Sequence, residues 1–390
     1  MAMNDLSIEQ VSSILNAVYG QATGDINLAN VNTSDFTSVA TVTLKTGYDT
    51  VSNSISQVLG RTIFSVRPYQ AKFKGLEATS QRWGNHTRKL TVVDGQAENN
   101  PEYTLVDGTT YSPFVVNKPE ILQTNFYGQT TFMRSVTIYD NQLDVAFQGP
   151  DQFASFITMV MTNMSDLLEQ SREILARGAL ANFIAGKSAA ANGVIHLVSE
   201  YNNVAGLTTP LTSQTVRQPD NFVPFMKWAY GRIKTLAQLM AERSHAYHIN
   251  VSGKEVARHT PADRLKLYML AGDMNDVEAS VLSSVYNDEY LKLADHESVA
   301  YWQALNNPNS VIATPTYMDT TGALVTPQSS VTVNNILGVM FDEEAIGVNF
   351  FDQTTTTDRN GRHRFTNWNF FENQRYWNDF TENGLILCLD

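Results

Sequence analysis

Few residues in this chain have the type and spacing that chemistry requires. His245-Ala246-Tyr247-His248 places two imidazoles three residues apart, a separation that metal ligands use. The stretch has no HExxH pattern. It lies where a helical pattern gives way to a strand, so the two rings need not share a face. Polar or capping histidines explain the pair more simply. Asp342-Glu343-Glu344 offers carboxylates for a divalent cation or for acid–base work. A solvated loop cluster is the commoner case. The remaining histidines, His86, His196, His259, His296 and His363, are scattered. There is no GxGxxG after a strand, no phosphate loop ending in Gly-Lys-Ser/Thr, no GxSxG and no CxxC. The residues predict no catalytic site, no cofactor and no metal centre.

Charge is distributed unevenly near the N-terminal third. Arg61, Arg67, Lys72, Lys74, Arg82, Arg88 and Lys89 stand against the single acid Glu77. Residues 91–110 then carry Asp94, Glu98, Glu102 and Asp107 and no base. A hairpin with one basic and one acidic portion can dock on neighbours by charge, and Arg82, Arg88, Lys89, Glu98 and Glu102 are the candidate contacts. A plain solvated face is the bland alternative, and phosphate binding a third. The whole chain has a net charge of −12. That balance argues against a protein that grips nucleic acid through its phosphates.

These segments need elements to hold them. Gly149-Pro150-Asp151 is a helix start, because proline fits the first helical position and aspartate suits the positive end of the helix dipole. From there Phe153, Phe156, Val160, Met164, Leu167, Ser171, Ile174, Gly178 and Ala181 recur at steps of three and four. Ile157, Met161, Leu168 and Leu175 widen the stripe. Asp166, Glu169, Arg172, Glu173 and Arg177 lie largely off it. The pattern predicts a helix over 149–187, roughly 55 Å long, serving as a beam across a sheet.

A second helix is predicted over 221–243, a strand over Tyr247–Val251, and a third helix capped by Asp273. A short helix is expected over Ile8–Tyr19 in a polar, acidic arm. Short strands are expected at Leu90–Val93, Tyr103–Val106, Phe114–Val116 and Ser135–Tyr139. Asp107-Gly108 and Asp358–Arg362 read as turns. Ala345–Phe351 and Gly384–Leu389 read as buried strands flanking an aromatic cluster that includes Trp368, Phe370 and Trp377. The mixture is α+β.

Bulk composition sets the outer bounds. With 390 residues and 43% hydrophobic content, the chain can bury a large core. Only 17% of residues are charged, so much of the polar surface is amide and hydroxyl. Such groups lose less than charges do when a second surface covers them. The single cysteine, Cys388, sits in an apolar run and reads as a buried hydrophobe. The first basic residue is Lys45, which implies no signal peptide, and no apolar run is long enough to span a bilayer.

Three stretches carry a resemblance. They are Leu168-Glu169-Gln170-Ser171-Arg172-Glu173-Ile174-Leu175-Ala176-Arg177, Gln123-Thr124-Asn125-Phe126-Tyr127-Gly128, and Gln374-Arg375-Tyr376-Trp377 leading into Gly384-Leu385-Ile386-Leu387-Cys388. With the order of elements, they make residues 45–390 resemble the major capsid proteins of tailed bacteriophages, with the Hong Kong 97-type shell fold. The resemblance implies an N-terminal arm at 1–46, the start of a peripheral domain at 47–67 and an extended loop at 68–117. It further implies a peripheral domain at 118–199 with a spine helix at 149–187, an axial domain at 200–340 and a return to the peripheral domain at 341–390. The implied function is self-assembly into pentamers and hexamers of an icosahedral or prolate head, assembled in the bacterial host cytoplasm and carried in the virion. The implied partners are further copies, a portal, scaffolding or decoration proteins, and double-stranded DNA enclosed without sequence-specific binding, with no membrane. No fused scaffolding segment is evident, and Lys72 and Lys74 cannot be assigned to a crosslink. An encapsulin-like compartment shell is the nearest alternative, and an enzyme with dispersed site residues a more distant one.

Overall fold

The 40-residue helix Pro150–Ala189 is the longest element of the computed structural model. It starts one residue after the expected position and ends two residues beyond it. The structure describes residues 16–20, 47–63, 72–78, 86–93, 108, 114, 118–127, 130–250, 254–281, 297–319, 321 and 323–390. The chain divides into two compact units. The first holds Met1–Trp83, Gln129–Leu175 and Asn349–Arg375, and the second holds Gly84–Gly128, Ala176–Val348 and Tyr376–Asp390. No helix among the described residues is long and apolar enough to cross a membrane.

In the first unit, a three-stranded sheet runs in the order Ile346–Asn360, Phe365–Asn378, Thr130–Tyr139. The last two strands are antiparallel, from Phe365 opposite Tyr139 to Gln374 opposite Thr130. The hairpin between Ile346–Asn360 and Phe365–Asn378 turns at residues 361–364, which overlaps the expected turn Asp358–Arg362 only at Gly361 and Arg362. Alternation along the middle strand buries Thr366, Trp368, Phe370, Glu372 and Gln374. Trp368 and Phe370 join Phe153, Ile157, Val160, Met161 and Met164 of the long helix, Leu143, and Val51 and Ile55 of the helix Tyr48–Ile63, in one core. The Trp368 indole donates to Ser52 Oγ at 2.7 Å. That contact adds a polar tie to a helix whose residues Val51 and Ile55, four apart, already face the core.

The long helix departs from its expected pattern in one stretch. Glu169, Arg172, Glu173 and Arg177 are all buried, while Ile174 is 65% exposed. Partners reverse the expected sides. Arg172 pairs with Glu169 at 3.1 Å and with Glu372 of the sheet. Gln353 and Gln374 donate to the two oxygens of Glu372. In the second unit, Arg177 donates to the Tyr301 carbonyl and lies 3.7 Å from that ring's centroid.

The second unit is built on a five-stranded sheet in the order Val194–His196, Gly384–Cys388, Ile336–Asp342, Leu265–Leu270, Glu297–Val299. The three central strands are antiparallel, and the two outer ones pair in parallel. Helices Leu197–Ala205 and Pro219–Ala241 bury Leu197, Phe225, Met226, Ile233 and Leu236 with Leu267, Leu337, Leu385 and Leu387. Gly193 has φ +77°, and a Cβ there would meet the Gly384 carbonyl at 2.5 Å, so this turn needs glycine. Residues 341–390 divide between the units, with 349–375 in the first and the rest in the second.

Two expectations need correction. Residues 247–250 of the expected strand Tyr247–Val251 form no strand, and Val251 lies outside the described residues. Ile249 donates to the Phe380 carbonyl, and Gly384 donates to the Tyr247 carbonyl. Asp273 does not cap a helix. It is the third residue of Ala271–Val281, buried and paired with Arg217 at 2.5 Å. Burial raises its carboxyl above the usual carboxylate range against the opposing pull of Arg217. The expected strands at 103–106 and 115–116, and the arm 1–46 apart from residues 16–20, lie outside the described residues.

Candidate assembly surface

The strongest candidate surface is a two-stranded antiparallel ribbon, His86–Val92 with Ile121–Tyr127. His86 lies opposite Tyr127 and Val92 opposite Ile121. Alternation gives the ribbon two faces. Lys89 and Thr91 turn toward the body of the second unit. Lys89 Nζ pairs with Asp379 Oδ2 at 2.5 Å and with Glu382 Oε1. Arg258 reaches the same place, 3.3 Å from Glu382, and donates to Thr91 Oγ1 at 3.1 Å and to the Thr381 carbonyl at 3.2 Å. Burial pushes the Glu382 carboxyl up, while Lys89 and Arg258 pull it down. Asp379 also accepts from the Thr381 amide and hydroxyl, so its carboxylate is held from both sides. The ribbon is therefore pinned along one face.

The other face carries Arg88, Leu90, Val92, Ile121 and Gln123. Leu90, Val92 and Ile121 are 59%, 57% and 59% exposed. Of the charged residues singled out in the sequence, Arg88 is exposed on this face, whereas Lys89 is engaged inside its own chain. Arg82, Glu98 and Glu102 lie outside the described residues.

The candidate chemical groups are placed differently. His248 is buried, with Nε2 at 2.7 Å from the Val256 carbonyl oxygen and Nδ1 at 3.3 Å from Asn383 Oδ1. Burial, chiefly, lowers its pKa. His245 is exposed, and the two ring centroids are 6.2 Å apart. Both His248 nitrogens are occupied by protein groups. Asp342, Glu343 and Glu344 converge on Arg264, at 3.4, 3.2 and 2.6 Å, so the cluster is tied to a cation of its own chain. Cys388 is buried and its thiol is pushed up to about 12, so it is inert at neutral pH. No group of three or more His, Cys, Asp or Glu residues is placed to hold a metal among the described residues.

Sequence patterns gave no sign of Lys187. It closes the long helix, where a solvated lysine is ordinary, yet it is fully buried. Nζ donates to the Tyr247 carbonyl at 3.0 Å and to Asn192 Oδ1 at 3.3 Å. Burial brings its pKa down to about 7, with Asp379 opposing.

A long helix packs against a three-stranded sheet, the second unit is built on a five-stranded sheet, and a ribbon pinned on one face leaves its apolar face open. Solved structures agree on the fold. The chain matches one titled as the capsid structure of Staphylococcus phage Andhra, with a TM-score of 0.54 and 9% identity over 84% of this chain and 86% of that one. It matches equally one titled for the head fiber and inner core protein gp22 of bacteriophage P68, with a TM-score of 0.54 and 9% identity over 82% and 85%. No curated protein sequence matches the chain. The family model of the Phi29-like phage major capsid protein matches residues 13–387, and the chain belongs to that family. It is thus a structural phage protein rather than an enzyme, in the mixed helix-and-sheet capsid fold that the resemblance implied.

Proposed function

We propose that copies of this chain associate into pentamers and hexamers and close into an icosahedral or prolate head around double-stranded DNA. Assembly takes place in the bacterial host cytoplasm, with a portal and with scaffolding or decoration proteins as further partners. The observation that carries the reading is the ribbon, because three aliphatic side chains face water on an element whose other face is pinned. Such a face gains its free energy on association. The unit holding most of the long helix takes the peripheral role, and the five-stranded sheet anchors the axial one. Residues 1–46 serve as the arm and 68–117 as the extended loop.

Arg82, Arg88, Glu98 and Glu102 touch neighbouring copies, and Lys89 contributes by holding the ribbon in place. The net charge of −12 suits an enclosure that does not bind its DNA tightly. Negative-stain electron microscopy of the purified protein tests the proposal. Rings of five or six, or closed shells, are expected. A species that stays monomeric or dimeric at every concentration and salt condition overturns it.

A further inference from the structure

The three-stranded sheet of the first unit has a second face, turned away from its core. Trp368 and Phe370 point inward, so the residues between and beside them on the same strand, Asn367, Asn369 and Asn373 among them, point outward. Each of these asparagines is matched by a hydroxyl directly opposite on Thr130–Tyr139. Thr131, Ser135 and Thr137 donate to the Oδ1 atoms of Asn373, Asn369 and Asn367 at 2.7, 2.5 and 2.7 Å. Asn373 Nδ2 in turn donates to Asp352 Oδ2 at 2.9 Å. Apolar pairs alternate with these rungs. Phe371 lies opposite Met133, which is 55% exposed, and Phe365 lies opposite Tyr139, edge to face at 5.9 Å between centroids.

Charge, hydrogen bonding and length narrow what this face can hold. On the remaining strand Gln353 donates to buried Glu372, so Asp352, Thr354, Thr356 and Asp358 fall on the outer side, where all four are exposed. No lysine or arginine stands at an outward position of the three strands, and two carboxylates stand at one edge. A phosphate backbone needs the opposite. The hydrogen-bonding groups are uncharged. The rung hydroxyls fix the carboxamides of Asn367 and Asn369 and leave their N–H donors uncommitted among the described residues. Groups already held in place lose little freedom on binding. From Phe365 to Asn373 the face runs roughly 27 Å, at about 3.4 Å per residue.

We infer that this face binds a neutral polysaccharide, laid along the strands with its hydroxyl groups on the Asn–Thr and Asn–Ser rungs and its CH faces on Met133, Phe371 and the Tyr139–Phe365 pair. A chain of uncharged sugars offers donors, acceptors and apolar CH faces in turn, and it requires no cation. The rungs supply both donors and acceptors, and the side chains between them supply the apolar platforms. The length of the face suits a polymer rather than a single sugar. All of these residues belong to the first unit and none to the ribbon, so the dissociated subunit suffices to show the binding.

Biolayer interferometry of the full chain on immobilised dextran, mannan and laminarin tests this, with heparin and duplex DNA as polyanionic comparators. Binding to at least one of the three neutral polymers is expected, and it should be insensitive to salt, because uncharged contacts are not screened. Asn367→Ala combined with Asn369→Ala should weaken it about tenfold or more while the thermal transition of the subunit stays in place. Should that double variant fail to fold, Met133→Arg reads the same loss, since it sets a long cation across the rungs from an exposed position and removes no hydrogen bond. No binding to any of the three polymers overturns the inference and marks the face as solvated only. Binding that both variants leave unchanged also overturns it. Binding to heparin or DNA instead, falling steeply with salt, would mark an anion surface and do the same. Displacement of the polymer by free glucose or mannose at an equal concentration of sugar units would replace the extended site with a single-sugar one and overturn it as well.

Discussion

Arg172 and Glu372, two hundred residues apart in the chain, meet as a buried fork, with Arg172 Nε donating to Glu372 Oε2 at 3.1 Å and Nη2 to Oε1. Glu169 completes the set from one helical turn away. Both charges are almost wholly removed from water, so each depends on the other. Removing one partner leaves the other buried and uncompensated, at about 3–5 kcal/mol. Arg172→Ala should therefore cost about that much in urea unfolding of the dissociated subunit. Replacing both residues with Met should cost clearly less than the sum of the single changes. Additive losses would show that the two side chains are not coupled.

Lys187 gives a pH dependence with a defined sign. Its folded pKa lies near 7, well below the ordinary value of 10.5. Between those values the unfolded chain binds the proton that the folded chain refuses, so this group makes stability rise with pH across that window. Its contribution is complete above the unfolded value and lost as pH falls through the folded one. Lys187→Met should be more stable than the parent at pH 7, by a few kcal/mol at most. The difference between the two melting curves should shrink as pH approaches 10.5. Parallel curves at all pH values would show that Lys187 does not titrate in this range.

Neighbouring residues on the ribbon should behave oppositely. Lys89→Ala strips a partner from buried Asp379 and Glu382 and should destabilise the subunit by about 2–3 kcal/mol. Arg88→Glu, combined with Arg82→Glu at the other proposed contact, should leave the subunit's unfolding unchanged, because Arg88 is exposed and an exposed charge contributes little to folding. The double variant should instead weaken association, most at low salt, where screening is least. Sedimentation across a salt series reads this outcome. Equal assembly by the double variant and the parent at every salt concentration would remove charge from the docking step.

Leu167→Pro tests the long helix as a continuous beam. Proline at a mid-helix position removes a backbone bond and clashes with the preceding turn, at about 3 kcal/mol or more. Circular dichroism and recovery of soluble subunit should both fall sharply. Normal folding and assembly by this variant would mean that the helix tolerates a break at its centre.

Local patterns determined much of this fold. The start at Gly149-Pro150 and the stripe from Phe153 to Met164 are set by residue spacing along a single element, as are the burial of Leu385-Ile386-Leu387 and the turn that begins at Gly361. Such features depend on neighbours within a few residues, which sequence displays. The low charge content and the three family-like stretches pointed to the class.

Tertiary structure decided what depends on partners far along the chain. Glu169 and Arg172 look like solvent-facing residues until Glu372 meets them from the sheet. Lys187 looks like an ordinary helix end until the Tyr247 carbonyl and Asn192 surround it. Lys89 looks like one more base in a basic run until Asp379 and Glu382 take hold of it, nearly three hundred residues later. Once it is held, the same ribbon must present Leu90 and Val92 to the outside. A strand alternates its side chains, and which face turns inward is settled by the surface it lies against.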